Sequence, residues 1–279
     1  MKTLDAPILA LGGGNMAHAI LAGAIQAQQL TDGQVAVIDP NEERRSLFAN
    51  AFQGPGDASA WLASQPDHRP LVLLAVKPQM LREALPPLIE AMQVAQVRPC
   101  TFVSILAGSR IETIGSMLRE GDRVIRVMTN TPAQIGQGMT AIANDNQPDP
   151  DDLCQVRALF EAVGEVIVIP ESLLDAFTAV AGSGPAYLFY LAEGMMRAAE
   201  SIGFTAEQAS TIVRQTLLGS SGLLARSMDT PGELRSKVTS KNGTTYAATT
   251  TLDDHKVMDA IVAALTAARD RGVELASEA

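Results

Sequence analysis

Pro7-Ile8-Leu9-Ala10-Leu11-Gly12-Gly13-Gly14-Asn15-Met16-Ala17 decides how the first half of the chain is read. An uncharged apolar run of strand length breaks into glycines and passes into residues 15–23, whose composition is helical. The spacing Gly12-x-Gly14-x-x-Ala17 fits the turn that cradles a dinucleotide. Gly12 permits the sharp exit from the strand. Gly14 lets a pyrophosphate reach the backbone, and Ala17 is small enough for close helix–strand packing. The N–H groups at Asn15 and Met16 open the helix and would face that phosphate. A glycine-rich turn that binds nothing is the other reading of the same residues.

Outward from this turn, apolar runs alternate with helical stretches as far as residue 169. Strands are expected at 35–38, 71–76, 101–106, 124–128, 139–143 and 165–169, and helices at 42–52, 79–92, 111–119 and 150–163. Such alternation predicts a parallel sheet covered on both faces, and the unbroken apolar run 71–76 belongs at its centre. Ser109 and Glu112 have the spacing of a capping box, which predicts a helix start at Ser109. After Pro170 strand-like runs cease, and helices are expected at 174–181, 186–201, 206–226, 231–238, 244–252 and 256–277. Thr205 and Gln208 form a second capping box. The fold class is therefore α/β: an N-terminal Rossmann-like dinucleotide-binding domain, residues 1–169, followed by an all-α C-terminal domain, residues 170–279. Leu217, Leu218, Leu223, Leu224, Ile261, Val262 and Leu265 are too many apolar residues for so thin a helical half to bury. They are expected to pack against a second copy of the chain, with burial against the first domain as the alternative.

Composition narrows the functional classes. The 279 residues carry a net charge of −10, which gives no basic excess for binding nucleic acid. Hydrophobic residues make up 47% and aromatics only 4%, so aliphatic side chains must fill the core. The longest uncharged stretch, 176–192, contains Gly182, Gly184 and Pro185 and is too short and too polar to span a membrane. The apolar run 8–11 is too short for a secretory leader, and the cytoplasm is the expected compartment. Cys100 and Cys154 form no motif and read as small buried residues. His18, His68 and His255 lack ligand spacing, so no metal site is expected.

Four further stretches carry chemistry. Asp39 ends the second strand, where a carboxylate can accept the adenine ribose 2′-hydroxyl or simply cap the next helix. Arg44 and Arg45 follow closely and could instead grip a 2′-phosphate. Val76-Lys77-Pro78 leaves the central strand at its carboxyl end, where ligands bind in such sheets, although Lys77 also fits a solvated surface. Met128-Thr129-Asn130-Thr131-Pro132 ends another strand with groups able to bond a nicotinamide or to build a turn. Lys241-Asn242-Gly243-Thr244-Thr245 leads into a helix whose free N–H groups suit a carboxylate, with threonine capping as the plain alternative.

Taken in order, these pieces resemble the pyrroline-5-carboxylate reductase family. The likeness rests on the glycine turn with Asn15-Met16, on Ala75-Val76-Lys77-Pro78, and on Asn130-Thr131-Pro132. It continues through Gly182-Ser183-Gly184-Pro185-Ala186-Tyr187, Val238-Thr239-Ser240 and Gly243-Thr244-Thr245. The resemblance implies that NADPH or NADH delivers hydride to the imine carbon of 1-pyrroline-5-carboxylate, giving L-proline. It implies cofactor contacts at Gly12, Gly14, Asn15, Met16, Asp39, Arg44, Ala75, Val76, Lys77, Asn130 and Pro132. It implies a substrate loop of Lys241, Asn242, Gly243, Thr244 and Thr245, with Thr245 on the ring nitrogen, and an interlocked homodimer or larger homo-oligomer. Two departures stand out: Thr129 replaces a proline usual in the family, and Lys241-Asn242 replaces Pro-Gly. Asn242 can keep the turn, because asparagine tolerates positive φ. Lys241 adds charge beside the expected carboxylate and leaves the natural cyclic imine open. A β-hydroxyacid-dehydrogenase-like oxidoreductase is the competing enzyme class, but residues 184–189 lack the lysine that alcohol chemistry would use. A dinucleotide-binding protein without turnover is the competing non-enzyme.

Overall fold

The computed structural model describes residues 4–66, 68–145 and 148–278. The chain forms two compact units, one of residues 4–183 with 268–278 and one of residues 184–267.

The first unit is built on an eight-stranded sheet of order β3-β2-β1-β4-β5-β6-β7-β8. The strands are β1 Ile8–Leu11, β2 Val35–Ile38, β3 Ala51–Phe52, β4 Leu71–Leu74, β5 Thr101–Ser104, β6 Arg123–Met128, β7 Gly138–Ala143 and β8 Gly164–Ile169. Its helices are α1 Asn15–Gln26, α2 Glu42–Arg45, α3 Pro55–Ala63, α4 Leu81–Val94, α5 Ile111–Gly115, α6 Pro150–Glu161 and α7 Leu174–Phe177. β1 and β4 are buried along their whole length and pair in register, Ile8 with Leu71 through Leu11 with Leu74. Helices cover both faces. Ile20, Leu21 and Ala24 of α1 join Val156, Leu159 and Phe160 of α6 in one core, and Leu62, Leu85 and Leu88 join Phe102 in the other.

Three local expectations fail, and one helix forms that they do not include. The sheet is not wholly parallel: β7 runs antiparallel to β6. The link between them, 129–137, is too short for the dozen or more residues a parallel crossover needs. The helix expected over 42–52 stops at Arg45 because the chain is drawn back to the sheet. The Asn50 amide donates to the carbonyls of Asp32 and Val35, and Ala51–Phe52 pair with Val37 and Ile38. Helix α3 was unforeseen, although Gly54-Pro55 marks its start with proline in the first turn. Finally, Ser109 does not cap α5. Arg110 takes the cap position, and the Ile111 N–H donates instead to Glu171 Oε1 at 2.9 Å.

Two smaller points complete this unit. Cys100 is buried and Cys154 half-buried. Burial, reinforced by the neighbouring Asp122 charge, pushes the Cys100 thiol up to about 12. The carboxyl-terminal part of the last helix, α12 Val257–Glu278, returns to the unit, where a Cβ on Gly108 would touch its backbone at Leu275 and Ala276.

The second unit is helical: α8 Gly184–Ser201, α9 Ala206–Arg226, α10 Pro231–Lys237, α11 Thr244–Asp254 and the start of α12. The Thr205–Gln208 capping box forms as expected, with Gln208 N–H to Thr205 Oγ1 at 3.2 Å. A further box, Thr230–Glu233, opens α10, and the Thr230 N–H holds the Glu233 carboxyl below its usual range. In this unit only Ala199, Ala209 and Val213 are buried, while Leu218, Leu223, Ile261 and Val262 are more than half exposed. Among the described residues, no helix is long and apolar enough to cross a membrane.

Candidate active site

The glycine turn sits at the carboxyl edge of the sheet, where ligands of such folds bind. Gly12 adopts φ +103°, and its N–H donates to the Ile38 carbonyl at 2.8 Å. A Cβ there would lie 2.7 Å from the Ala75 carbonyl oxygen, so Gly12 and Ala75 are matched parts of one turn. Gly14 differs: a Cβ would meet nothing within 4 Å. That open space adjoins the start of α1, which has no side-chain cap, so its first N–H groups are free for an anion. Gly12→Ala is expected to weaken dinucleotide binding about tenfold or more, because an L-residue is strained at this φ and its Cβ displaces backbone. Titration of cofactor fluorescence measures this; unchanged affinity would separate the turn from binding.

Asp39 is buried and braces that turn. Its Oδ2 accepts the Gly13 N–H at 2.9 Å, its Oδ1 accepts the Asn41 N–H at 2.8 Å, and Arg44 Nη1 lies 3.6 Å away. The cap of α2 is Asn41, not Asp39. Arg45 is tied to the backbone, donating to the carbonyls of Asp39 and Pro40, whereas the Arg44 side chain is largely exposed. At the end of β4, Ala75 and Val76 are half-buried, Lys77 is exposed, and Pro78 opens a short 3-10 turn into α4.

At the end of β6, Thr129 and Thr140 pair their buried hydroxyls at 2.9 Å. Asn130 is buried and turned inward: Oδ1 accepts the Met139 N–H and Nδ2 donates to the Ala181 carbonyl, both at 2.9 Å. Pro132 lies in the first turn of the 3-10 segment Thr131–Ile135.

In the second unit, Asn242 adopts φ +60°, as the glycine it replaces would. The Gly243 N–H donates to the Ser240 carbonyl at 3.0 Å, and a Cβ on Gly243 would run into Ser240 Oγ. Gly243 precedes α11 with no side-chain cap, leaving the N–H groups of the first turn available. Lys241 and Asn242 are exposed and Thr245 is half-buried. The Thr249 hydroxyl donates to the Thr245 carbonyl at 3.0 Å. The Thr245 hydroxyl makes no hydrogen bond among the described residues.

One group escaped the sequence reading. Arg126, buried in β6, is held by Glu171 Oε1 at 3.1 Å and Asp175 Oδ1 at 3.4 Å. The signal was an arginine inside an apolar strand, with acids spaced one helical turn apart further on. Among the described residues, no cluster of His, Cys, Asp or Glu could hold a metal ion.

A sheet opening on a dinucleotide turn, followed by a helical unit with bare apolar faces, defines a two-domain oxidoreductase of the nucleotide-dependent class. Residues 7–108 match the family described as NADP oxidoreductase, coenzyme F420-dependent, and residues 171–275 match the pyrroline-5-carboxylate reductase dimerisation family. A pyrroline-5-carboxylate reductase of Synechocystis sp. is 37% identical over 268 residues, spanning 95% of this chain and 96% of that one. The solved pyrroline-5-carboxylate reductase of Coxiella burnetii superposes with a TM-score of 0.84 at 28% identity, covering 97% of this chain and 98% of that one. A Plasmodium falciparum pyrroline carboxylate reductase, solved with NADP bound, shares the fold with a TM-score of 0.84 at 22% identity, covering 99% of this chain and 100% of that one. The chain belongs to the pyrroline-5-carboxylate reductase family.

Proposed function

We propose that this chain uses NADPH or NADH to reduce the cyclic imine 1-pyrroline-5-carboxylate to L-proline, as a homodimer or larger homo-oligomer in the cytoplasm. The observation that carries this reading is kinship along the whole chain, 37% identity over 95% of its length to the Synechocystis reductase. The residues present fit the cofactor: Gly14 faces open space and the α1 start is uncapped. Gly12, Gly14, Asn15 and Met16 would hold the pyrophosphate. Asp39 suits a ribose 2′-hydroxyl and Arg44 a 2′-phosphate, so both nucleotides have a partner at the end of β2. Ala75, Val76 and Lys77 would line the ribose side, and Pro132 with the backbone of Asn130 the nicotinamide end, the Asn130 side chain being turned inward.

The cofactor, when bound, supplies a hydride to the imine carbon. The chain supplies orientation and a dry site. Backbone N–H groups of Thr244 and Thr245 would take the substrate carboxylate, beside the Lys241 charge and the Asn242 turn; the Gly243 N–H, expected to join them, is already held by the Ser240 carbonyl. Thr245 Oγ would meet the ring nitrogen, which carries the proton of the iminium. That carbon is already electrophilic, so no strong acid or base is needed, in keeping with the absence of lysine from residues 184–189. The dimerisation match from residue 171 supports a functional division at 169–170, and the bare leucine faces of α9 and α12 support self-association.

Steady-state assays with both nucleotides across cyclic imines test the reading. Oxidation of NADPH or NADH on addition of 1-pyrroline-5-carboxylate is expected. Binding without turnover would favour a binding protein, activity on a 2- or 3-hydroxy acid a hydroxyacid dehydrogenase, and a preference for another cyclic imino acid a related imine reductase.

A further inference from the structure

Residues 178–183 are the last part of the first unit before α8 begins at Gly184. They do not continue α7 as α-helix but widen into a π-turn, Thr178–Gly182, closed by the Ser183 N–H donating to the Thr178 carbonyl at 2.8 Å. π-turns replace a more stable α-helical geometry and recur at functional sites, so some contact must favour this one. The contacts come from the end of β6. Asn130 Nδ2 donates to the Ala181 carbonyl at 2.9 Å, and a Cβ on Gly182 would lie 3.1 Å from the Met128 methyl. The other end of the same amide fixes β7, through the Met139 N–H.

We propose that Asn130 is a positioning residue: its side-chain amide locks the π-turn 178–182 onto the end of β6 and thereby sets where the chain leaves the nucleotide-binding unit. Its two bonds separate cleanly. The carbonyl oxygen serves the sheet, by accepting from Met139, and the amide hydrogen serves the π-turn. Asn130→Asp keeps the first and removes the second, placing a carboxylate oxygen against the Ala181 carbonyl. Gly182→Ala leaves Asn130 intact but crowds the Met128 methyl and, within the turn, Thr178, whose Cγ2 would lie 3.3 Å from the new methyl.

The activity readout rests on the reductase reading above; amide hydrogen exchange of the nucleotide-free protein does not. In Asn130→Asp, amides 181–183 are expected to exchange at least tenfold faster than wild type, while those of β7 stay protected. The turnover number should fall about tenfold, with NADPH affinity within about twofold. The primary isotope effect from 4-deuterated NADPH should rise, because misplacement slows hydride transfer and not release. Gly182→Ala should reproduce these changes, and adding Met128→Ala should relieve them in part. Unchanged exchange at 181–183 in both variants would overturn the proposal. So would a fall in NADPH affinity that matches the fall in turnover, since Asn130 would then act as a cofactor ligand. If Asn130→Asp does not fold, Gly182→Ala decides alone. A wild-type protein inactive on the imine would sink the reductase reading and leave the exchange result to judge the π-turn.

Discussion

Thr245→Ala is expected to lower turnover of the imine about a hundredfold while leaving NADPH affinity within about twofold, the loss typical of removing one donor aimed at a reacting centre. The argument starts from the loop before α11. Asn242 at φ +60° and the Gly243–Ser240 turn bring the chain into the helix with its first N–H groups uncapped. An anion placed there meets both those donors and the positive end of the helix. Thr245 stands in that first turn, and its hydroxyl has no partner among the described residues. Its backbone carbonyl, by contrast, is already bonded by Thr249. Alanine therefore removes an unused hydroxyl without breaking a structural bond, and it favours helix slightly more than threonine does. A large loss of turnover with unchanged melting temperature would assign the hydroxyl to the substrate. Thr245→Ser should recover most of the rate, since it restores the oxygen. If alanine leaves both turnover and the Michaelis constant for the imine unchanged, the role is wrong.

What could be read beforehand follows from how far each determinant reaches along the chain. The β1 turn and α1 were legible because strand period, glycine spacing and helix composition all lie within a few residues of one another. The capping box of α9 was legible for the same reason, being closed between Thr205 and Gln208. The box expected at Ser109 failed because the helix starts one residue later, behind Arg110, and its first N–H, at Ile111, is met by Glu171 from 60 residues away. β3 is only Ala51–Phe52, too short to show a period, and it exists because Asn50 reaches back to Asp32 and Val35. The direction of β7 depends on loop length and not on its own residues. In the candidate site, the types at Asp39 and Asn130 were visible but their partners were not. The Gly13 N–H lies 26 residues from Asp39, and the Ala181 carbonyl 51 residues from Asn130. The bare faces of the second unit were foreseeable from a simple excess of leucine and isoleucine over the volume that could hold them.

The same long-range logic makes Arg126→Met the substitution expected to cost most stability, about 3 kcal/mol or more, which is the usual result of removing one member of a buried ionic group. Arg126 is almost wholly buried, and its two acids are at most a quarter exposed. Glu171 Oε1 accepts from Arg126 and from the Ile111 N–H, and the Glu171 N–H is taken by Asp145. Asp175 packs beside Gly272, where a Cβ would lie 3.4 Å from the Asp175 Cβ. One guanidinium thus ties β6 to Glu171, which also holds the start of α5, and to Asp175 of α7. Methionine fills much of the volume but leaves two largely buried carboxylates without their cation. For a unit of this size, a loss of ~3 kcal/mol corresponds to a melting point lower by roughly 6–12 °C. The test of cause is coupling. Adding Glu171→Gln and Asp175→Asn to Arg126→Met removes both unpaired charges while glutamine still accepts from Ile111, so most of the lost stability should return. Effects that simply add across the three positions would mean that Arg126 acts by packing alone. A melting temperature within about 2 °C of wild type for Arg126→Met would mean that the charge group contributes no net stability.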